Sequence, residues 1–159
     1  MSFLRAGRSF TVPGPGPNQS HLWIVLTDPD PDDKVVAVMV VSEKPHTDKT
    51  VTLSVGDHPF FQHSSNIDYG TARFFPRGKL EKQITNRGRL RQNVSLSLLE
   101  KARAGVVTSS RCPNYVKEYF ATRFDETGKA LPFNLASPAS QTPANKTAEP
   151  AATDSESTG

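Results

Sequence analysis

Val35-Val36-Ala37-Val38-Met39-Val40-Val41 is the stretch on which the reading of the fold turns. β-Branched side chains are stiff at χ1 and fit a pleated surface better than a helix, so this uncharged run predicts a central strand. Upstream, His21-Leu22-Trp23-Ile24-Val25-Leu26 reads as a buried strand. It ends in Thr27-Asp28-Pro29-Asp30-Pro31-Asp32-Asp33, a loop whose prolines forbid helix continuation. So short a connection makes an antiparallel hairpin the simplest pairing of the two strands.

Downstream, Thr50–Val55 alternates with period two and predicts a third strand, followed by a turn at Gly56-Asp57. Asp68–Phe75 predicts a fourth strand stopped by Pro76, and Leu80–Ile84 a further short one. Gly88–Val94 is basic and fits neither element clearly. Ser95 is placed to cap a helix that carries Leu96, Leu99 and Ala102 or Arg103 on one face and stops at Gly105. Pro113 suits the first turn of a second helix, in which Tyr115, Val116, Tyr119 and Phe120 recur at helical spacing to about Phe124. Strands first and two C-terminal helices after them predict an α+β fold, mainly β, as a small barrel or curled sheet.

The ends differ in composition from this middle. Pro13-Gly14-Pro15-Gly16-Pro17 supports neither a helix nor a central strand, so residues 1–20 read as a flexible tail joined by a linker. Residues 21–133 are the expected domain. Residues 134–159 are rich in Ala, Ser, Thr and Pro, with Gln and Gly and almost no large apolar side chain, too few to offset ordering entropy, and read as a disordered tail.

Several function classes are excluded or disfavoured. Cys112 is the single cysteine, so no internal disulfide forms and a disulfide-stapled secreted scaffold is ruled out. The first twenty residues lack the apolar run of a signal peptide, and no segment approaches the roughly 20 apolar residues of a membrane span. A cytoplasmic protein with no membrane partner is expected. His58 and His63 lack a metal-ligand spacing, and the acidic cluster Asp28–Asp33 lacks the glycine and closing glutamate of a calcium loop. No phosphate loop or nucleophile elbow is present, so no metal or cofactor is expected.

The charge distribution is more informative. Between Thr71 and Arg91 stand Arg73, Arg77, Lys79, Lys82, Arg87, Arg89 and Arg91, against the single acid Glu81. A local basic stretch is the electrostatic footprint of an anionic partner, although a solvated strand face has the same composition. Around it, Ser42, His58, Tyr69 and Arg73 are polar or aromatic groups near predicted strand ends. An arginine can hold two phosphate oxygens and stabilise a pentacoordinate transition state. A histidine can move a proton at a 2′-hydroxyl or a leaving oxygen, and a serine can hold the phosphate in register.

The order of segments resembles the PemK/MazF family of toxin endoribonucleases. The elements that carry the resemblance are the valine-rich strand running into Ser42, the strand Asp68–Arg73 with its arginine, and the two closing helices over Ser95–Phe124. The resemblance spans about His21 to Phe124; where the family has an Arg-Pro pair, His21 stands. It implies an SH3-like barrel, an RNA-binding toxin-like protein, metal-independent endoribonuclease chemistry, a homodimer and an antitoxin partner. Arg73 and Ser42 carry over by position as catalytic residues. His58 is added from its own chemistry as the proton carrier, and Arg77, Lys79, Lys82, Arg87, Arg89, Arg91 and Tyr69 as RNA-binding residues. Two alternatives stay open: a non-catalytic barrel module that binds nucleic acid or an acidic protein, and a phage- or plasmid-type interaction or inhibitor protein.

Overall fold

Alternation of polar and apolar residues, rather than length of apolar run, marks the first element of the structure. The computed structural model describes residues 2–17 and 19–132. In chain order its elements are β1 (Ser9–Pro13), β2 (Ser20–Val25), β3 (Lys34–Ser42), β4 (Thr52–Leu53), β5 (Ser65–Pro76), α1 (Arg77–Arg87), β6 (Arg89–Arg91), α2 (Leu96–Thr108) and α3 (Asn114–Ala121). The strands form one curled antiparallel sheet, a half-barrel in the order β4-β5-β3-β2-β1-β6. The fold is α+β and mainly β. The expected tail 134–159, and Phe133 before it, lie outside the described residues.

β3 is the centre of the sheet, flanked by β2 and β5, and its two faces bury separate cores. Val36, Val38 and Val40 turn one way and pack with Leu22, Ile24, Ile67 and Tyr69 beneath α2 and α3. Val35 and Ala37 turn the other way and pack with Phe10 and Val25 beneath Leu80 and Ile84 of α1. Strand alternation is the reason one valine run serves both faces.

Residues 1–20 are not a tail as expected. β1 lies between β2 and β6, and Leu4 and Phe10 are each 1% exposed. Burying two such side chains contributes about 2 kcal/mol each, enough to order the segment. The Pro-Gly stretch is the turn of the β1–β2 hairpin, with the Gly14 N–H donating to the Gln19 carbonyl at 2.8 Å. The signal was the alternation Ser9-Phe10-Thr11-Val12 just before it, in which Phe10 and Val12 share a face.

Leu80–Ile84 is also a correction. It lies in α1, not in a strand, because Leu80 and Ile84 stand four apart and bury together on one helix face. Gly88 ends this helix where β1 passes close: a Cβ there would lie 2.6 Å from the Thr11 carbonyl oxygen. The expected strand Thr50–Val55 shortens to β4, and the second C-terminal helix closes at Ala121. α2 begins as expected, with the Ser95 hydroxyl accepting from the Leu98 N–H at 3.1 Å. It does not stop at Gly105, which lies inside the helix directly against the Tyr69 hydroxyl, where any Cβ would collide.

β5 carries an irregularity that matters later. Ala37 of β3 is opposite Arg73, but Met39 is opposite Asp68, so the intervening β5 residues bulge. The Thr71 hydroxyl fills the gap, accepting from the Met39 N–H at 2.9 Å and donating to the Asp68 carbonyl at 2.6 Å.

Candidate functional site

Where β2 begins and β3 ends, the curled sheet opens into a groove of about 900 Å³. Ser20 and Ser42 stand at this end because Leu22 and Val40 are register partners, which brings the start of one strand beside the end of the other. The 58–63 segment and β6 form the opposite wall.

Among the described residues two arginines face this groove and no carboxylate does. Arg91 is fixed: its Nε donates to the Thr11 hydroxyl at 3.0 Å, and its guanidinium lies 5.6 Å from the centre of the Phe60 ring. The remaining guanidinium N–H groups stay available to a ligand. Arg89, two residues earlier on the same strand, shares that face and is exposed. Phe60 is half-buried in the groove wall and offers a ring face.

Ser42 sits on the groove floor with its Oγ 3.4 Å from Nε2 of the exposed His63. That separation is at the loose end of hydrogen bonding, and both groups stay open to a third partner. His63 was not singled out from sequence as a site residue. It comes beside Ser42 because Ser65, two positions on, is the register partner of Ser42.

His58 also lines the groove, but it is a structural residue. It is 3% exposed, its Nδ1 accepts from the Phe60 N–H at 3.0 Å, and its Nε2 lies 2.8 Å from the Gln92 carbonyl and 3.1 Å from the Ser9 hydroxyl. The amide donor requires Nδ1 to be the acceptor, so Nε2 carries the hydrogen and donates to Gln92. Both ring nitrogens are used to pin the 58–60 turn to β1 and β6, which leaves none for a substrate proton.

Arg73 does not join Ser42. Along β3 its partner is Ala37, five positions before Ser42, which is about 16 Å at strand rise and on the opposite face by parity. Its guanidinium lies 5.0 Å from the Phe75 ring centre and 5.8 Å from that of Trp23. Tyr69 is a core residue rather than an RNA-stacking one. It is fully buried, its hydroxyl donates to the Ala102 carbonyl at 2.7 Å, and burial pushes its ionisation far up.

The basic run between Arg73 and Arg91 is divided in the same way. Arg77 bridges Asp33 at 2.7 Å and Glu81 at 2.6 Å. Glu81 in turn accepts from the backbone N–H groups of Phe3 and Leu4 at 2.7 and 2.9 Å, clamping the N-terminal segment onto α1. Burial alone would raise its pKa, but these donors and the Arg77 guanidinium outweigh it and hold the carboxyl below its ordinary range. Lys79, Lys82 and Arg87 are exposed on α1, which covers the other face of the sheet and contributes nothing to the groove.

The other reactive group is closed off. Cys112 is buried, and burial pushes its thiol up to about 11, so it is protonated at neutral pH and a poor nucleophile. Among the described residues no three His, Cys, Asp or Glu side chains gather as metal ligands, and no helix is long and apolar enough to cross a membrane. Compared with protein-family models and with curated proteins, the chain matches none.

Proposed function

We propose that the groove binds a single-stranded RNA segment, with Arg89 and Arg91 on its phosphates. The observation that carries the reading is the pairing of two arginines with a lining that, among the described residues, holds hydroxyls and no carboxylate. Arginine forks match phosphate oxygens, and releasing counterions from the strand supplies affinity. Phe60 offers a base-stacking face, the usual companion of cations in grooves that hold single strands. Ser20 and Ser42 can both donate to and accept from ribose 2′-hydroxyls, which favours RNA over DNA. The test is a competition experiment with the full-length protein in EDTA, displacing a labelled RNA octamer with unlabelled RNA or DNA of the same sequence. RNA displaces it at lower concentration than DNA if this is right; no binding of the labelled octamer ends the proposal.

A second reading, metal-independent RNA cleavage, is favoured by the Ser42–His63 contact. Here His63 takes the 2′-hydroxyl proton as the 2′-oxygen attacks phosphorus, the bond from phosphorus to the 5′-oxygen breaks, and that oxygen takes a proton from water, giving a cyclic phosphate and a 5′-hydroxyl. Ser42 and Arg91 hold the phosphate, and neither His58 nor Arg73 takes part. An RNA digest in EDTA, with the ends analysed for cyclic phosphate, decides it; intact RNA eliminates cleavage. The PemK/MazF-like, SH3-like barrel assignment, and with it a toxin-like homodimer and an antitoxin segment over the groove, belongs to this proposal through segment order alone.

A further inference from the structure

Next to the groove, across the end of β3, lies a smaller recess of about 290 Å³ that shares His21, Val41 and Ser42 with it. At about 30 Å³ per water this is the room of some ten waters, of the order of one purine base. The β3–β4 connection and the α2–α3 connection wall it, tied together where Arg111 Nη1 donates to the His46 carbonyl at 2.9 Å. Lys44 and Arg111 make its rim cationic.

Two carboxylates line this recess, and they are not alike. Asp48 is 6% exposed and fully used: one oxygen accepts from the Thr50 N–H and hydroxyl at 2.9 and 2.6 Å, the other from the Ser109 hydroxyl at 2.6 Å. It fastens the two connections together. Asp68 is half-buried, and among the described residues its carboxylate has no hydrogen-bond or ion-pair partner, although its backbone carbonyl takes Thr71. Its register partner is Met39, so by parity it shares the face of Val41 rather than that of Ser42, and the recess in which it stands with both wraps the end of β3.

A free carboxylate beside a phosphate-binding groove repels the strand unless it accepts from N–H donors that the strand brings. Guanine alone among the four RNA bases presents two adjacent donors, N1–H and N2–H, that match both oxygens of a carboxylate. Adenine offers only one amino group to it, and uracil only one imino N–H. We infer that the recess is a guanine subsite next to the phosphate held near Ser42, with Asp68 accepting from the Watson–Crick edge. This rests on the RNA reading of the groove. The His21 ring, shared by both depressions, supplies a stacking face between phosphate and base.

The experiment uses the full-length protein and three oligouridylate octamers, each with one central guanosine, inosine or adenosine, with affinities read by fluorescence anisotropy at fixed salt. The guanosine octamer binds about tenfold more tightly than the adenosine one, with inosine, which lacks the 2-amino group, between them. Asp68→Ala brings guanosine level with adenosine. This ratio is internal to each protein, so partial unfolding of a variant does not imitate the effect. Equal affinities in the wild type, or a guanosine preference that survives Asp68→Ala, overturns the subsite alone. Failure of all three octamers to bind overturns the groove reading and the subsite with it.

Discussion

α1 and β6 lie next to each other in sequence, are both basic, and have opposite fates. On α1, Arg77 is committed to Asp33 and Glu81, and its helix faces away from the groove. On β6, Arg91 is held by a neutral hydroxyl and an aromatic face, and among the described residues its charge has no counterion. A run of cations in sequence is therefore not a patch in space. What distinguishes the two is which side of the sheet each element covers and, for Arg77 against Arg91, whether a carboxylate neutralises the charge.

The comparison breaks most visibly on the structural side. Glu81→Ala leaves the Phe3 and Leu4 N–H groups without their acceptor and releases the N-terminal segment. It should destabilise by about 3 kcal/mol, lowering the melting temperature by roughly 10 °C, while the affinity of the folded fraction for RNA is unchanged. The groove side gives the converse. Arg89→Ala with Arg91→Ala should weaken RNA binding about 30-fold and flatten the logarithmic salt dependence by about 1.4, two phosphates' worth for a single strand. Its melting temperature should stay within a few degrees of the wild type.

A pH series sharpens the structural half further. Because the folded-state pKa of Glu81 is depressed, its contribution is full above the unfolded value near 4.3 and is lost as pH falls through the folded value. The wild-type melting temperature should therefore fall more steeply below about pH 4.5 than that of Glu81→Gln; parallel curves would remove the clamp from the account. The smallest effect belongs to Lys79→Ala with Lys82→Ala, which should change RNA affinity less than about twofold, the weight of exposed charges well away from the ligand.

How far the sequence carries this picture depends on the range of the forces involved. β2 and β3 were legible because β-branched runs declare themselves locally, and the Ser95 cap because its acceptor lies three residues away. β1 was hidden by its own turn, since a Pro-Gly-rich hairpin and a linker have the same composition. α1 was hidden because only Leu80 and Ile84 give its face an apolar character. Gly105 read as a helix stop, yet its reason is contact with Tyr69, a partner distant in the chain.

The site divides similarly. Ser42 was visible at the end of its strand, and Arg89 and Arg91 were visible as cations. Arg73 is split from Ser42 by the antiparallel β3–β5 register, and a bulge that no local pattern announces sets it on the other face; the Ser42–His63 contact exists only through the same register. The one available cue for separating Arg89 and Arg91 from the lysines was Gly88, where the period changes from helix to strand.

The most direct test of the groove is an amide NMR titration of the labelled protein with an RNA octamer in EDTA. The account predicts shifts concentrated at Ser42, His63 and Arg89–Arg91, with the α1 amides of Lys79 and Lys82 left in place. Shifts that follow α1 and spare β6 would contradict it.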